Sequence, residues 1–467
     1  MKIRTYPLAI LLAMFLPVSL LAQRAPMKLG KIDKADLTLT ECSFDPEAEA
    51  MVLGEYGELH LVYITDKGWQ YKFDYHIRIK VFSAEGLAQA TQVVELYEGS
   101  RSNREELSQL KGYTYNLVDG KVEKEKMRND DEFEEELSEH ITAVKFTLPA
   151  VQVGSVFEFS YSIRSDYISN LRSWYFQRDI PVRFSEARYL LPEFFYYRTV
   201  NAGGHPLTVN ETDRQNEVFS IRYEAGRQVS GAPVYRTSDL RSQSKLRRWR
   251  AEQVPAIRQE PYMTRVRDYA TRVEFQLATI RYPNQSPKSF MDDYPTMSNT
   301  LLEDAQFGEV FLKGGYQPEG IEAALAQAEG PLDQALATYE TLRRGLRWNK
   351  RYAIYARQNT RQTWRNEGGN VADLNLALVD AYREAGLEAH PVLLSTRDHG
   401  KVHPVYPNLE AFNYVIASVK VGDNWFLTDA TRASLPFGLL PLEAINGQGW
   451  WVRPNQWIDL RAGTRYR

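Results

Sequence analysis

The first half of the chain alternates apolar and polar positions. Every second residue is apolar in two stretches, formed by Tyr71, Phe73, Tyr75, Ile77, Ile79 and Val81 and by Phe157, Phe159, Tyr161 and Ile163. A period of two predicts strands with one buried face. Between the two stretches, Val118-Asp119-Gly120-Lys121 predicts a tight hairpin turn. We therefore predict an all-β sandwich over residues 28–235.

The apolar spacing changes to three and four after residue 332. One face of a predicted helix carries Ala335, Leu336, Tyr339 and Leu342. A second helix is predicted at about 370–385, followed by strands at 389–395, 411–420 and 424–429. A helix followed by strands predicts an α+β domain, which we assign to residues 263–467. The basic segment 236–262, which contains Pro255 and Pro261, is interpreted as the linker.

The start of the second helix carries the most informative residue pattern. Asn370 is a good N-cap, and Asp373 is placed to bond back toward it. Position 371 is then the first helical residue, where free N–H groups and the helix dipole favour an anion. A cysteine there would have a lowered thiol pKa and could act as a nucleophile. The residue is Val371, which has no such chemistry.

Four segments carry a resemblance to a known family: Gly369–Asn375, Pro391–Gly400, Ala411–Ile416 and Phe426–Thr431. In these segments the chain resembles the transglutaminase-like (papain-like) superfamily. More specifically, it resembles exported bacterial proteins in which such a domain follows a β domain of unknown function, DUF3857. The resemblance extends over nearly all of the chain after the N-terminal segment. Longer relatives carry a further C-terminal β domain, which we expect to be missing here, whether by nature or by truncation.

The resemblance also implies the fate of the catalytic residues. In active relatives a cysteine opens the helix, a histidine lies on a following strand and an aspartate ends the next strand. These positions correspond to Val371, Tyr414 and Asp429. Two of the three groups needed for nucleophilic catalysis are therefore replaced, and Cys42, the only cysteine, lies in the other predicted domain. The cysteine mechanism of the family is not expected here.

In the fold implied by the resemblance, several polar and aromatic residues lie around a candidate binding cleft. Its residues are Trp348, Trp364, Asn370, Asp373, Asn413, Tyr414, Trp425 and Asp429. The functional interpretation is a groove that holds an extended peptide or another polymer without cutting it. The structural interpretation is that Asn370 and Asp373 cap the helix, Asp429 bonds a strand end, and the tryptophans fill the core.

Three functions remain open from the sequence. We favour a non-catalytic protein of the cell envelope that binds or scaffolds a peptide, a protein or an envelope polymer. The alternative is a hydrolase or transferase with a rewired, cysteine-independent site around Asp373, Tyr414 and Asp429, because buried carboxyls and phenols can exchange protons. The third is a purely structural domain whose groove has filled in. Whether the chain is an enzyme is thus left open, with a non-catalytic role favoured.

Composition narrows the classes of partner. The formal net charge is −3, which argues against nucleic-acid binding despite the basic run at 241–250. A single cysteine excludes an intramolecular disulfide, and Cys42 is expected to be packed rather than reactive. The acidic run at 130–136 is interpreted as a solvated face. His399 and His403 have a zinc-like spacing, but nearby glycine and prolines predict a loop, so neither a metal nor a cofactor is expected.

Residues 1–22 predict export. Lys2 and Arg4 precede a mostly apolar run that ends before Ala22, which is typical of a cleaved signal peptide. An uncleaved anchor is the alternative. No later stretch is long and apolar enough to cross a bilayer, so we expect no transmembrane segment after cleavage. We therefore predict a periplasmic or cell-surface location.

Overall fold

A computed structural model describes most of the chain. The described residues are 25–100, 103–138, 141–227, 233–260, 263–290, 293–313, 320–402, 404, 407–460 and 465–466. The predicted signal peptide at residues 1–22 and His403 lie outside these ranges.

The N-terminal region consists almost entirely of strands. One short helix, α1 (Lys34–Thr38), precedes them. The strands are β1 (Ala50–Ile64), β2 (Gly68–Val81), β3 (Thr91–Ser100), β4 (Asn103–Val118), β5 (Lys121–Lys126), β6 (Glu132–Ser138), β7 (Ile141–Thr147), β8 (Val156–Ser165), β9 (Trp174–Tyr175), β10 (Val182–Leu191), β11 (Phe195–Ala202), β12 (Val209–Arg227), β13 (Pro233–Val254), β14 (Arg272–Ile280) and β15 (Lys288–Ser289). Short 3-10 helices lie at Glu85–Ala90, Asn129–Asp131 and Val266–Asp268.

The C-terminal region begins with helices. They are α2 (Tyr294–Glu303), α3 (Gly308–Leu312), α4 (Ile321–Leu325), α5 (Pro331–Gly345), α6 (Thr360–Arg365) and α7 (Val371–Glu384). The strands are β16 (Arg347–Trp348), β17 (Gly368–Gly369), β18 (Ala389–Leu394), β19 (Tyr414–Val421), β20 (Asn424–Thr428), β21 (Gln448–Trp451), β22 (Gln456–Asp459) and β23 (Arg465–Tyr466). Further 3-10 helices lie at Leu409–Ala411 and Leu442–Ala444.

Two sheets build the N-terminal region. The larger has the order β12-β13-β10-β1-β2-β8-β4-β3-β7-β6, with β5 beside β4, and its β1 and β10 run parallel. The smaller sheet has the order β11-β14-β15, and β9 also pairs with β14. One apolar core contains buried side chains from both sheets. The mostly β character predicted for this region is confirmed.

Strand β2 is more deeply buried than the alternation predicts. The six apolar residues of the pattern are all buried, but so are His76, Arg78 and Lys80 on the opposite face. Segment 28–39 covers that face. Arg78 Nη2 donates to Lys31 O at 2.6 Å, and Lys80 Nζ donates to Leu37 O at 2.8 Å. The prediction of one buried face was incomplete because Arg78 and Lys80 find carbonyl acceptors instead of water, and His76 and Arg78 also contact the buried carboxylate of Glu158.

The predicted linker at 236–262 is corrected by the structure. Residues 236–254 belong to β13, which pairs with β12 on one side and β10 on the other. Arg248 and Arg250 of this strand both donate to the buried carboxylate of Glu186. The basic run therefore balances a buried charge rather than forming a solvated connection. Strand β14 also pairs with β11, so β structure of the N-terminal region continues beyond the predicted boundary at residue 263.

The C-terminal region has a six-stranded antiparallel sheet in the order β22-β21-β18-β19-β20-β23. Helix α7 packs on β18 and β19. The predicted helices and strands of this region agree with α5, α7, β18, β19 and β20 within a few residues. Strand β19 begins at Tyr414 rather than 411, because Leu409–Ala411 form a 3-10 turn. The core here is formed by residues from Tyr294 to Leu460.

Three smaller predictions, on Cys42, the hairpin turn and the acidic run, are also confirmed. Cys42 is fully buried among apolar side chains. Val118 pairs with Lys121, and Asp119 and Gly120 between them have φ values of 49° and 75°, as a tight hairpin turn requires. Glu132 to Glu136 are exposed on β6. Within the described part of the chain, each helix is too short or too polar to cross a membrane.

Candidate functional site around Tyr414 and Asp429

Val371 is the first residue of α7, as predicted. The Asn370 side chain accepts from Asp373 N, and Asp373 Oδ2 accepts from Asn370 N, both at 2.8 Å. These reciprocal bonds fix the helix start. Val371 itself is fully buried, and its N–H donates to Arg351 O at 3.2 Å. One N–H that could stabilise an anion at a helix start is thus already bonded.

Tyr414 and Asp429 form a hydrogen-bonded pair in the core. The Tyr414 hydroxyl donates to Asp429 Oδ2 at 2.7 Å, and the Thr431 N–H donates to Oδ1 at 2.7 Å. Both residues are fully buried. Burial raises the pKa of Asp429, although its hydrogen bonds lower it. Burial and then the neighbouring carboxylate raise the pKa of Tyr414 far above its ordinary value.

Asn375 connects the start of α7 to this pair through hydrogen bonds. It lies one turn after Val371, and its Nδ2 donates to Val415 O at 3.0 Å. Its Oδ1 accepts from Ala430 N at 2.9 Å. Because these two partners directly follow Tyr414 and Asp429, a single amide holds α7 against both positions. Sequence reasoning did not single out Asn375, although an asparagine between Leu374 and Leu376 of a predicted helix was a usable signal.

An aromatic segment lies next to the pair. The ring centroid of Tyr352 is 5.8 Å from that of Tyr414, and Trp348 is 5.3 Å from Tyr352. The Arg432 guanidinium lies 6.0 Å over the Trp348 ring. Trp348 therefore flanks the predicted site through Tyr352, a residue that the sequence analysis did not name.

The other polar residues of the predicted cleft serve the fold. Asp373 Oδ1 accepts from Arg357 N at 2.8 Å and from Gln358 N at 3.2 Å, and burial raises the pKa of this carboxyl. Asn413 accepts from Thr396 N at 2.8 Å and donates to Thr396 Oγ1 at 2.9 Å. These contacts match the structural interpretation of capping and loop bonding.

Two tryptophans of the predicted cleft pack against neighbouring elements. Trp425 pairs with Lys420, six residues along β19 from Tyr414, which corresponds to about 20 Å of strand. It packs edge-on against Trp451 at 4.5 Å. Trp364 lies over Gly345 at the end of α5, where an added Cβ would be 2.6 Å from its ring. The prediction that Trp425 lies on the cleft is therefore wrong, whereas the place of Trp364 on the cleft stays a prediction.

The structure gives His399 a structural role. Its ring Nε2 is 3.0 Å from Glu410 O, and its carbonyl accepts from Arg265 Nη1 at 2.7 Å. Among the described residues, no group of three or more His, Cys, Asp or Glu side chains could hold a metal ion.

Comparison with known proteins identifies one domain. The DUF3857 family, a domain of unknown function with solved structures, matches residues 70–258. The chain therefore contains a DUF3857 domain, and the match extends through β13, in agreement with the structure. A search among curated proteins gives no match.

The fold has a counterpart among solved structures. The chain is similar to a candidate protease from Parabacteroides distasonis, with a TM-score of 0.55 and 11% identity over 88% of this chain and 71% of that one. This likeness concerns the fold alone. A candidate nutrient-binding protein from Legionella pneumophila aligns with a TM-score of 0.21 and 5% identity over 65% of this chain and 83% of that one, which is too low to support an argument.

Proposed function

We propose that the C-terminal region is a catalytically degenerate transglutaminase-like domain and that the chain is a non-catalytic binding or scaffolding protein. The observation that carries the proposal is the set of groups at the helix start and the facing strands. Val371 lies where a thiolate would be needed, and the Tyr414 hydroxyl is bonded to Asp429 at 2.7 Å. The shared overall fold with the Parabacteroides distasonis protein is consistent with such a domain.

The chemistry of these groups supports the loss of catalysis. Covalent catalysis needs a nucleophile within reach of a base. An isopropyl group cannot supply the nucleophile. Tyr414 cannot replace the histidine base at neutral pH, because its raised pKa keeps the hydroxyl protonated.

A rewired enzyme is less well supported by the same contacts. Asp373 and Asp429 are both buried, and both accept hydrogen bonds from backbone N–H groups. A carboxylate whose oxygens accept hydrogen bonds from the backbone in this way is not accessible to a substrate. The complete burial of Val371, Tyr414 and Asp429 favours instead a groove that has filled in. Binding of a peptide, protein or envelope polymer would then take place on another surface of the chain, in the periplasm or at the cell surface.

Turnover measurements test this proposal. The purified chain is assayed for hydrolysis of a fluorogenic peptide library and for incorporation of a primary amine into a glutamine-containing protein. We expect no turnover above buffer for the wild type. Asp429→Asn is the site variant, and Asp423→Asn, at an exposed aspartate of the β19–β20 turn, is the matched control. Turnover that is lost in the first variant and kept in the second would overturn the proposal.

A further inference from the structure

The N-terminal region contains a cavity of about 780 Å³ that the sequence analysis did not predict. It lies against β2, β3 and β8 and the segment around β9, and Glu410 of the C-terminal region also lines it. Aromatic side chains form much of its wall, among them Tyr71, Tyr75, Tyr161 and Trp174. A concave cavity of this size, whose wall combines aromatic side chains with many polar and charged groups, can hold a ligand.

Two ion pairs lie in the wall of the cavity. Arg178 pairs with Glu55, and Arg172 pairs with Glu105 at 2.6 Å. The carboxylates are nearly buried, with exposed side-chain fractions of 2% and 8%, whereas the arginines keep 33% and 24%. Within each of these two pairs the arginine is therefore the more accessible partner, and the exposed side chains of Glu95, Arg267 and Glu410 also line the cavity. The Nε atoms of both arginines are buried and lack a hydrogen-bond partner among the described residues.

Tyr161 lies between the two ion pairs. It interacts electrostatically with Arg172 and with Arg178, and its ring stacks on Tyr75 at 4.9 Å. Its hydroxyl, unlike that of Tyr75, has no hydrogen-bond partner among the described residues. Two guanidinium groups and one free hydroxyl thus converge on the same wall, which is an arrangement that suits a carboxylate.

A strand edge forms another wall. Six consecutive residues of β3, from Gln92 to Tyr97, line the cavity. Neighbouring side chains of a strand point to opposite faces, so the cavity follows the edge of β3 rather than one face.

The backbone of β3 shows which groups this edge presents. Ala90 O accepts from Leu148 N, next to β7, whereas Glu95 O accepts from Arg172 and Tyr97 N donates to Glu105. The odd-numbered residues therefore face away from β7. Strand β4 pairs with β3 only from Glu98 onward. The N–H and C=O of Val93 consequently lie on an edge that no described strand covers.

We propose that this cavity binds the C-terminal end of an extended peptide. The peptide backbone pairs with the edge of β3 at Val93, and its terminal carboxylate is held between Arg172 and Arg178 with the Tyr161 hydroxyl. Addition of a strand to an open edge and capture of a terminal carboxylate are both established modes of peptide recognition. This site is separate from the Tyr414 cluster, and its function does not depend on the loss of catalysis proposed above.

Titration of the full-length chain with peptides tests the proposal. The probes are a pool of N-acetylated tetrapeptides with free carboxylates and the same pool as C-terminal amides, measured by calorimetry. We expect the acids to bind and the amides to bind at least about tenfold more weakly, since the charge-assisted bonds are lost. Tyr161→Phe should weaken the acids several-fold and leave the amides unchanged. Tyr196→Phe, at an exposed tyrosine of β11, is the matched control.

Val93→Pro tests the strand pairing separately. Proline is tolerated on a strand edge but removes the N–H that the peptide would bond. We expect weaker binding of both pools, with an unchanged melting temperature. Equal binding of acids and amides, or no binding of either pool, would overturn the proposal. Binding of glucuronate as tight as that of the acids would show a general carboxylate site and contradict the peptide assignment.

Discussion

Buried carboxylates of the C-terminal region differ in how well they are bonded. Asp373 and Asp429 accept hydrogen bonds at both oxygens. Asp380 accepts from Thr360 Oγ1 at 2.7 Å through Oδ2, but its buried Oδ1 has no partner among the described residues. Burial raises the pKa of Asp380 to about 6. This residue therefore makes stability depend on pH.

The Asp380→Asn variant isolates this pH dependence. An unfolded aspartate has a pKa near 4, so the folded state binds more protons between about pH 4 and 6. The contribution of the protonated carboxyl is complete below that range and is lost as the pH rises through it. The compared quantity is the unfolding free energy of the variant minus that of the wild type. We expect this difference to be up to about 3 kcal/mol more favourable to the variant at pH 7.5 than at pH 4. Urea unfolding at both pH values measures the gain, and an equal difference at the two would contradict it.

The Tyr414–Asp429 bond can be measured by a double-mutant cycle. Tyr414→Phe removes the donor and leaves Asp429 Oδ2 buried with fewer partners, which should cost about 1–3 kcal/mol of unfolding free energy. In an Asp429→Asn background the same change should cost less, because the remaining group is uncharged. Equal costs in the two backgrounds would show that the bond contributes little.

At the scale of elements, local signals were predictable and distant pairings were not. The start of α7 was predictable because its cap residues, Asn370 and Asp373, are three positions apart. Strand β13 was interpreted as a linker because its arginines are typical of a solvated segment. Their acceptor, Glu186, lies about sixty positions away in the sequence, so only the folded sheet shows the match.

Asn375 determines how α7 is attached to the sheet. Asn375→Ala would leave Val415 O and Ala430 N buried without their partner. We expect a loss of about 2–4 kcal/mol in unfolding free energy. Asn216→Ala, at an exposed position of β12, serves as the control and should change stability by less than about 0.5 kcal/mol. A loss equally small for Asn375→Ala would contradict the attachment.

At the scale of the whole molecule, the two large apolar cores are formed by residues from separate parts of the sequence. The core between the N-terminal sheets uses residues from Ala50 to Leu277, and the C-terminal core begins at Tyr294. Contacts between the regions include polar ones, such as Gln276 Nε2 to Pro407 O at 2.6 Å. The structure therefore places the change of core near residue 290. The cavity could not be predicted, because Glu55, Arg178 and the edge of β3 meet only after the sheet has formed.

The separate cores predict that the N-terminal region folds alone. A fragment of residues 25–290 contains every member of its core. We expect a cooperative thermal transition and dispersed amide signals in an NMR spectrum. A fragment that stays unfolded until residues 291–467 are added in trans would contradict the division.

The most direct test of the filled-in site is the reactivity of a thiol at position 371. Val371→Cys is combined with Tyr414→His, in a Cys42→Ser background, and alkylation by iodoacetamide is followed with and without urea. Because position 371 is fully buried and its N–H is bonded to the carbonyl of Arg351, next to Tyr352, the folded chain should react at least about 100-fold more slowly than the unfolded one, and Tyr352→Gly should speed it up. Rapid alkylation of the folded chain at neutral pH, with Tyr352 in place, would show an open and activated cleft and contradict this account.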